Sequence, residues 1–240
     1  MFNIVTGSVL AMFAGFILLD TFWRPHDYPA TPWWRVKGVL AFLAYMAVAL
    51  FAPLLWTAFL AEHRLIDLTA QPLWLQLSLG MLVYQLGMYA WHRALHGSGF
   101  LWRHLHQTHH SAERVDVWGA FWFHPLDMVA WTLQGSLCLS WIVGLSIEAV
   151  IPITLATSFM GMFTHANVRT PHWLGWFISR PEMHAAHHER GVHRSNYCDL
   201  PVIDMVFGTY RNPETAPGQA GFFDGASSRL GALLIGRKLA

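Results

Sequence analysis

Four stretches of this chain, Met1–Leu19, Gly38–Ala61, Leu68–Trp91 and Met128–Ile147, contain no Asp, Glu, Lys or Arg. A fifth, Ala149–Val168, has His165 as its only ionisable group. Each approaches the ~20 residues that carry a helix across ~30 Å of hydrocarbon at ~1.5 Å per residue. Charged residues make up 12% of the 240 positions, about half the share of a soluble domain. The expected fold is therefore all-α: an integral membrane helical bundle of about four to five spans with a cytoplasmic His-rich helical cap. The first window has no basic n-region and no small-residue cleavage site, and reads as a retained span.

The distribution of cations sets the expected topology. Of 15 Lys and Arg residues, only Arg64 falls between the second and third windows. Arg24, Arg35 and Lys37 precede the second window, Arg93, Arg103 and Arg114 follow the third, and the other eight follow the fifth. The excess of Lys and Arg on cytoplasmic loops then places the first loop, the 92–127 segment and the C-terminal region in the cytoplasm. The last two windows are separated by only a few residues and read as a hairpin, spanning or re-entrant. One membrane domain over 1–240 is expected. Residues 214–240 would form a cytoplasmic tail whose Ser227–Ala240 end is a short amphipathic helix on the headgroups. The net charge of +1 gives no basis for a nucleic-acid partner. Cys138 and Cys198 form no metal or redox motif.

Three histidine clusters punctuate this pattern: "HRALH" (His92 to His96), "HQTHH" (His106 to His110) and "HAAHH" (His184 to His188). On a helix, residues at i, i+3 and i+4 share a face, so each cluster aims imidazoles at a common point. The assigned topology brings all three to one side of the membrane. Imidazole is the commonest nitrogen ligand of first-row metals, and eight such donors suit two ions. Spacing does not choose among Fe, Zn, Cu and Ni. Glu113, Asp116, Asp127, Glu182 and Glu189 lie nearby as groups that would orient imidazole N–H bonds. His104 points off the shared face; His172 and His193 lie near the site, as substrate contacts or solvated surface, and His26 and His63 read as interfacial.

In this order and at these positions, the clusters resemble the fatty acid hydroxylase/sterol desaturase superfamily, whose pattern is HX3H, HX2HH and a second HX2HH after a membrane hairpin. "FHPLD" (Phe123 to Asp127), "HANVRTPHW" (His165 to Trp173), "SNY" (Ser195 to Tyr197) and "FGTY" (Phe207 to Tyr210) extend the likeness over about residues 80–213. Two departures stand out. One more residue separates Trp102 from His106 than in the commonest family form, and Cys198 stands where many members have Gly. The resemblance implies as metal ligands His92, His96, His106, His109, His110, His184, His187 and His188, with His165 as a ninth. His124, a ligand or the cap of the hairpin, is a further metal or supporting candidate with Asp127, Glu182 and Asn196.

The resemblance further implies an O2-dependent, non-haem di-iron oxidoreductase that hydroxylates or desaturates a fatty acyl, sterol or isoprenoid-type lipid in lipid biosynthesis. Zn can stand in for the two Fe ions in purified protein. The chain shows no dinucleotide fingerprint and no haem or iron–sulfur motif. Its electrons would come from an external ferredoxin, or from a cytochrome with its reductase. A bacterial inner membrane is the expected location, with active site and C-terminus cytoplasmic. Trp91, Trp102, Trp118, Trp122, Trp173 and Trp176 either wall a substrate groove or form an interfacial belt. Two other classes compete: a metal transporter or metallochaperone, with ligands strung through mid-membrane positions, and a bis-His haem protein.

Overall fold

The computed structural model describes residues 4–23 and 25–239. The first three residues of the opening window, Arg24 of the first loop and Ala240 of the tail lie outside that description. Helices α1 (Ile4–Phe22) and α2 (Trp34–Phe51) come first; a 3-10 turn (Ala52–Leu55) and α3 (Thr57–Glu62) follow. The long α4 (Leu73–Gly97) leads into α5 (Gly99–Leu101), a π-helical segment (Trp102–His106) and α6 (Gln107–His110). Next, α7 (Pro125–Ser136) runs on as π-helix to Ile142, and α8 (Ile147–His165) returns. The remainder holds α9 (Pro181–His187), α10 (Pro201–Val206) and α11 (Leu230–Leu234). Ile66–Asp67 (β1) pairs in parallel with Val143–Gly144 (β2), tying the α3–α4 loop to the turn between α7 and α8.

Among the described residues, three helices are long and apolar enough to cross a membrane: Ile4–Phe22, Trp34–Leu55 and Ile147–His165. Only 22%, 17% and 22% of their apolar windows are buried, so most of that surface has no protein partner and suits a lipid solvent. The other two charge-free windows fall on α4 and on α7 with its π extension, where polar side chains work inside the bundle. Gln76 accepts from the Ser146 N–H at the start of α8. Gln85 exchanges two hydrogen bonds with Asp199 of the cap.

Packing locks the bundle to the cap. Phe13 of α1 stacks on Phe42 of α2 with centroids 3.9 Å apart, and Phe121 closes against both. Gly38 lets α2 touch the backbone at Trp118, where any Cβ would clash with that carbonyl. Asp20 at the end of α1 accepts from the backbone N–H groups of Val117 and Asn167. Among the described residues of the tail, the α-helix is Leu230–Leu234, shorter than the Ser227–Ala240 helix expected. Glu113 grips Ser227 through two hydrogen bonds, and the Gln107 amide bonds the backbone of Arg237 and Leu239. Those side-chain bonds fasten the tail to the histidine-bearing segment.

Candidate metal centre

The three clusters converge, and each HX2HH box is divided between two groups. His92, His96, His106, His110 and His187 form one group, while His109, His165, His184 and His188 form the other; within each, one nitrogen per ring lies within 4.8 Å of all the rest. Helix geometry explains the division. At ~100° per residue, positions i and i+4 lie ~40° apart, whereas i+3 sits ~60° to the other side. His106 and His110 therefore go together and His109 goes across; His184 and His188 go together and His187 goes across. The boxes exchange one ligand each, which couples the groups.

The π-helical segment keeps His106 in phase. The Gln107 N–H bonds the Trp102 carbonyl, five residues back. This wider turn absorbs one extra residue without rotating the following box. It lies where the chain is one residue longer than the commonest family form.

The hydrogen bonds fix which nitrogen carries the proton. His92 Nδ1 lies 2.9 Å from the Tyr197 carbonyl, His187 Nδ1 2.6 Å from that of Ser195, and His165 Nδ1 2.8 Å from that of Gly161. A carbonyl only accepts, so these nitrogens donate. His106 Nδ1–H donates to Asp127 Oδ2 at 2.9 Å. With Nδ1–H turned outward, each neutral ring presents a bare Nε2 lone pair inward. Burial, reinforced by neighbouring imidazoles, pushes His106, His109, His110, His184, His187 and His188 well below the ordinary histidine value. They are therefore neutral near pH 7.

Those lone pairs face one another at contact distance. Nε2 of His92 and His106 are 3.1 Å apart, Nε2 of His187 and His110 3.1 Å, and Nε2 of His165 and His184 3.0 Å. No proton is left to bridge the first of these couples, because both of its Nδ1 protons are held on the outer side. A cation between them turns repulsion into ligation. The donor set thus fits two nitrogen-preferring metal ions.

Other sequence-stated roles resolve differently. Of the five nearby carboxylates, only Asp127 orients a ligand. Glu113 clamps the tail, Asp116 accepts from the Trp34 indole, Glu182 accepts twice from Thr170, and Glu189 pairs with Arg211. Glu182 also has Arg180 at 3.5 Å and approaches no ligand ring. Three backbone carbonyls do the orienting instead, and backbone has no sequence signature. His124 is a helix cap: Nδ1 accepts from Leu126 N–H, leaving Nε2 to donate to the Leu234 carbonyl. Both nitrogens are engaged, so it belongs to neither group. Asn196 braces the loop, bonding the backbone of Met183 and Arg211. His193, expected near the site, touches it, with its Nδ1 3.2 Å from His110 Nδ1. His104 keeps away, bonding its own helix at Phe100. Cys198 is a buried thiol 3.3 Å from Asp204 and the Leu200 carbonyl.

A cavity of about 630 Å³ opens from the histidines into the bundle. His92, His106, His109, His165 and His184 line one end and Arg64 and Gly144 the other. On α8 the lining residues besides His165 are Ile147, Val150, Thr154, Thr157, Ser158, Gly161 and Thr164, a helical stripe about 26 Å long at ~1.5 Å per residue. The aromatic walls are Tyr45, Tyr84, Phe121, Phe123, Trp131 and Tyr197, and none of the six tryptophans named from the sequence. Trp173 and Trp176 are 61% and 55% exposed, as an interfacial belt requires.

A sequence profile for the fatty acid hydroxylase family matches residues 77–209, more than half of the chain. Ornithine lipid hydroxylase OlsE of Rhizobium tropici is 33% identical over 147 residues, 59% of this chain and 44% of that protein. A putative Delta(7)-sterol-C5(6)-desaturase 2 of Arabidopsis thaliana is 26% identical over 148 residues, covering 58% and 49%. The very-long-chain aldehyde decarbonylase GL1-9 of Oryza sativa subsp. indica is 24% identical over 139 residues, covering 56% and 54%. This chain spans about half the length of the curated relatives it matches. No solved structure matches it.

Proposed function

The chain belongs to the fatty acid hydroxylase family, and on that premise we propose that it is a membrane-bound, O2-dependent non-haem di-iron enzyme that hydroxylates a lipid hydrocarbon chain. One observation carries this reading: two sets of inward-facing imidazole nitrogens meet at the end of a long apolar cavity. Iron held by His92, His96, His106, His110 and His187, and by His109, His165, His184 and His188, would supply the reduction of O2 and the attack on an unactivated C–H bond. The donors alone suit Zn, Cu or Ni as well; family membership supports iron. Hydroxylation is favoured over desaturation by the higher identity to the lipid hydroxylase than to the sterol desaturase.

The chain's own residues bind, orient and exclude. The cavity walls hold an extended hydrocarbon with one carbon at the histidine end, where a misplacement of about 1 Å is costly. Phe123 stacks on His109 with centroids 4.4 Å apart and shields the site from the apolar side. Asp127 and the carbonyls of Tyr197, Ser195 and Gly161 hold protons on the outer nitrogens, keeping the inner ones bare. Electrons come from an external carrier protein, and the site faces the cytoplasm of a bacterial inner membrane. A transporter would string ligands along a path across the bilayer; the gathering of nine imidazoles in two adjoining groups argues against that alternative.

Incubating the iron-loaded, full-length chain with a membrane lipid extract, a reductant and isotopically labelled O2 tests the reading. One labelled oxygen atom should appear in a lipid alcohol, with two irons per chain. Fully loaded protein that leaves every lipid unlabelled overturns it.

A further inference from the structure

A second opening reaches the histidines through residues that the cavity does not share. It is a groove of about 440 Å³ lined by His96, Gly99, Trp102, Arg103, His193 and Lys238. The groove has two fixed cations and no carboxylate. Lys238 is exposed and Arg103 half-buried. Among the described residues, neither forms an ion pair, nor do Arg194 and Arg237, their chain neighbours beside His193 and Lys238. Trp102 forms the floor. Its ring lies 5.0 Å from His96, 5.1 Å from His110 and 6.2 Å from His106, three members of the five-imidazole group. Phe222 and His193 stand on its other flank at 6.0 and 5.7 Å.

We infer that this groove is the docking surface for an acidic one-electron carrier protein, with Trp102 bridging it to the five-imidazole group. The inference rests on the oxygenase reading, whose balance demands it. A C–H bond and O2 become an alcohol and water only with two added electrons and two protons. The apolar cavity is committed to lipid, so the carrier approaches through this separate groove. The unpaired positive charge there complements an acidic protein and raises its encounter rate. It is also the side on which a part-exposed histidine, His96, comes closest to solvent.

The test measures binding of an acidic [2Fe–2S] ferredoxin to the full-length chain in detergent micelles at low and high salt, with or without bound metal. Arg103→Glu/Lys238→Glu should weaken binding at least about tenfold at low salt and flatten its salt dependence. The neutral pair Arg103→Gln/Lys238→Gln should give a smaller loss in the same direction, with unaltered helicity. Unchanged ferredoxin affinity in the charge-reversed protein overturns the inference. So does an equal loss from Arg35→Glu/Lys37→Glu, or weakened binding to phosphatidylglycerol vesicles with ferredoxin binding intact, which would make the groove a membrane contact. Failure of the oxygenase reading shows separately, as unlabelled lipid from iron-loaded wild-type protein given a small-molecule reductant.

Discussion

The five-imidazole and four-imidazole groups are made from the same boxes but braced unequally. In the first, the outer nitrogens of His92, His106 and His187 donate to fixed acceptors, and that of His110 meets His193. In the second, His165 has its acceptor at Gly161 and His109 has the Trp122 backbone beside it. The outer nitrogen of His188 is buried without a hydrogen-bond partner, as is Nε2 of His96 in the first group. An unsatisfied buried donor costs about 1–3 kcal/mol. The contrast teaches that the fold fixes the tautomers and aim of three rings in the first group and of one in the second, and leaves more of the second to be ordered by what it binds. The first should hold its metal more tightly, and the second should adapt more readily.

The largest effect comes from removing a ligand. His110→Ala and His184→Ala should each lower lipid turnover more than about a hundredfold, beyond the loss seen for outer groups. Metal analysis should show one ion remaining in each variant. If either substitution empties both groups, they are one cooperative unit and the comparison breaks. Asp127→Asn comes next: it keeps shape but replaces the carboxyl group behind His106 with an amide. Affinity should drop about 10–100-fold at the five-imidazole group alone, as read by chelator competition. Equal weakening of both ions would show that the bracing is shared.

Acid should separate the groups further. Burial holds the box histidines, His106 and His184 among them, below their ordinary value in the fold. As pH falls below about 6.5, the unfolded chain takes up protons first. The stability these neutral rings contribute is therefore complete above that pH and lost as pH drops through their folded values. Protons compete for the same nitrogens as metal. Titration from pH 7.5 downward should release the second group's ion before the first, and lower the melting temperature. Release of both in one step would contradict the unequal bracing. The smallest effect is expected at His124→Ala, which removes a cap worth about 1 kcal/mol and leaves metal content unchanged. Loss of either ion from that variant would restore His124 as a participant.

Much of this protein is local physics written along the chain. Charge-free windows of span length require helices in an apolar solvent, and three become such helices among the described residues. The i, i+3, i+4 spacing puts imidazoles on one helical face whatever the rest of the chain does. Both depend only on near neighbours, so both are legible in the sequence. What the tertiary structure decided involves partners far apart in the chain. His109 joins His184 and His188, and His187 joins His92 and His96, because separate helices meet there. Backbone carbonyls took the orienting role assigned to carboxylates. His193 came to rest on His110, and Trp131 and Phe123 rather than the interfacial tryptophans walled the cavity. The sequence determined which donors exist and which way each helix presents them; only packing chose their companions, because a side chain's spacing is set by its own helix and its neighbour by another.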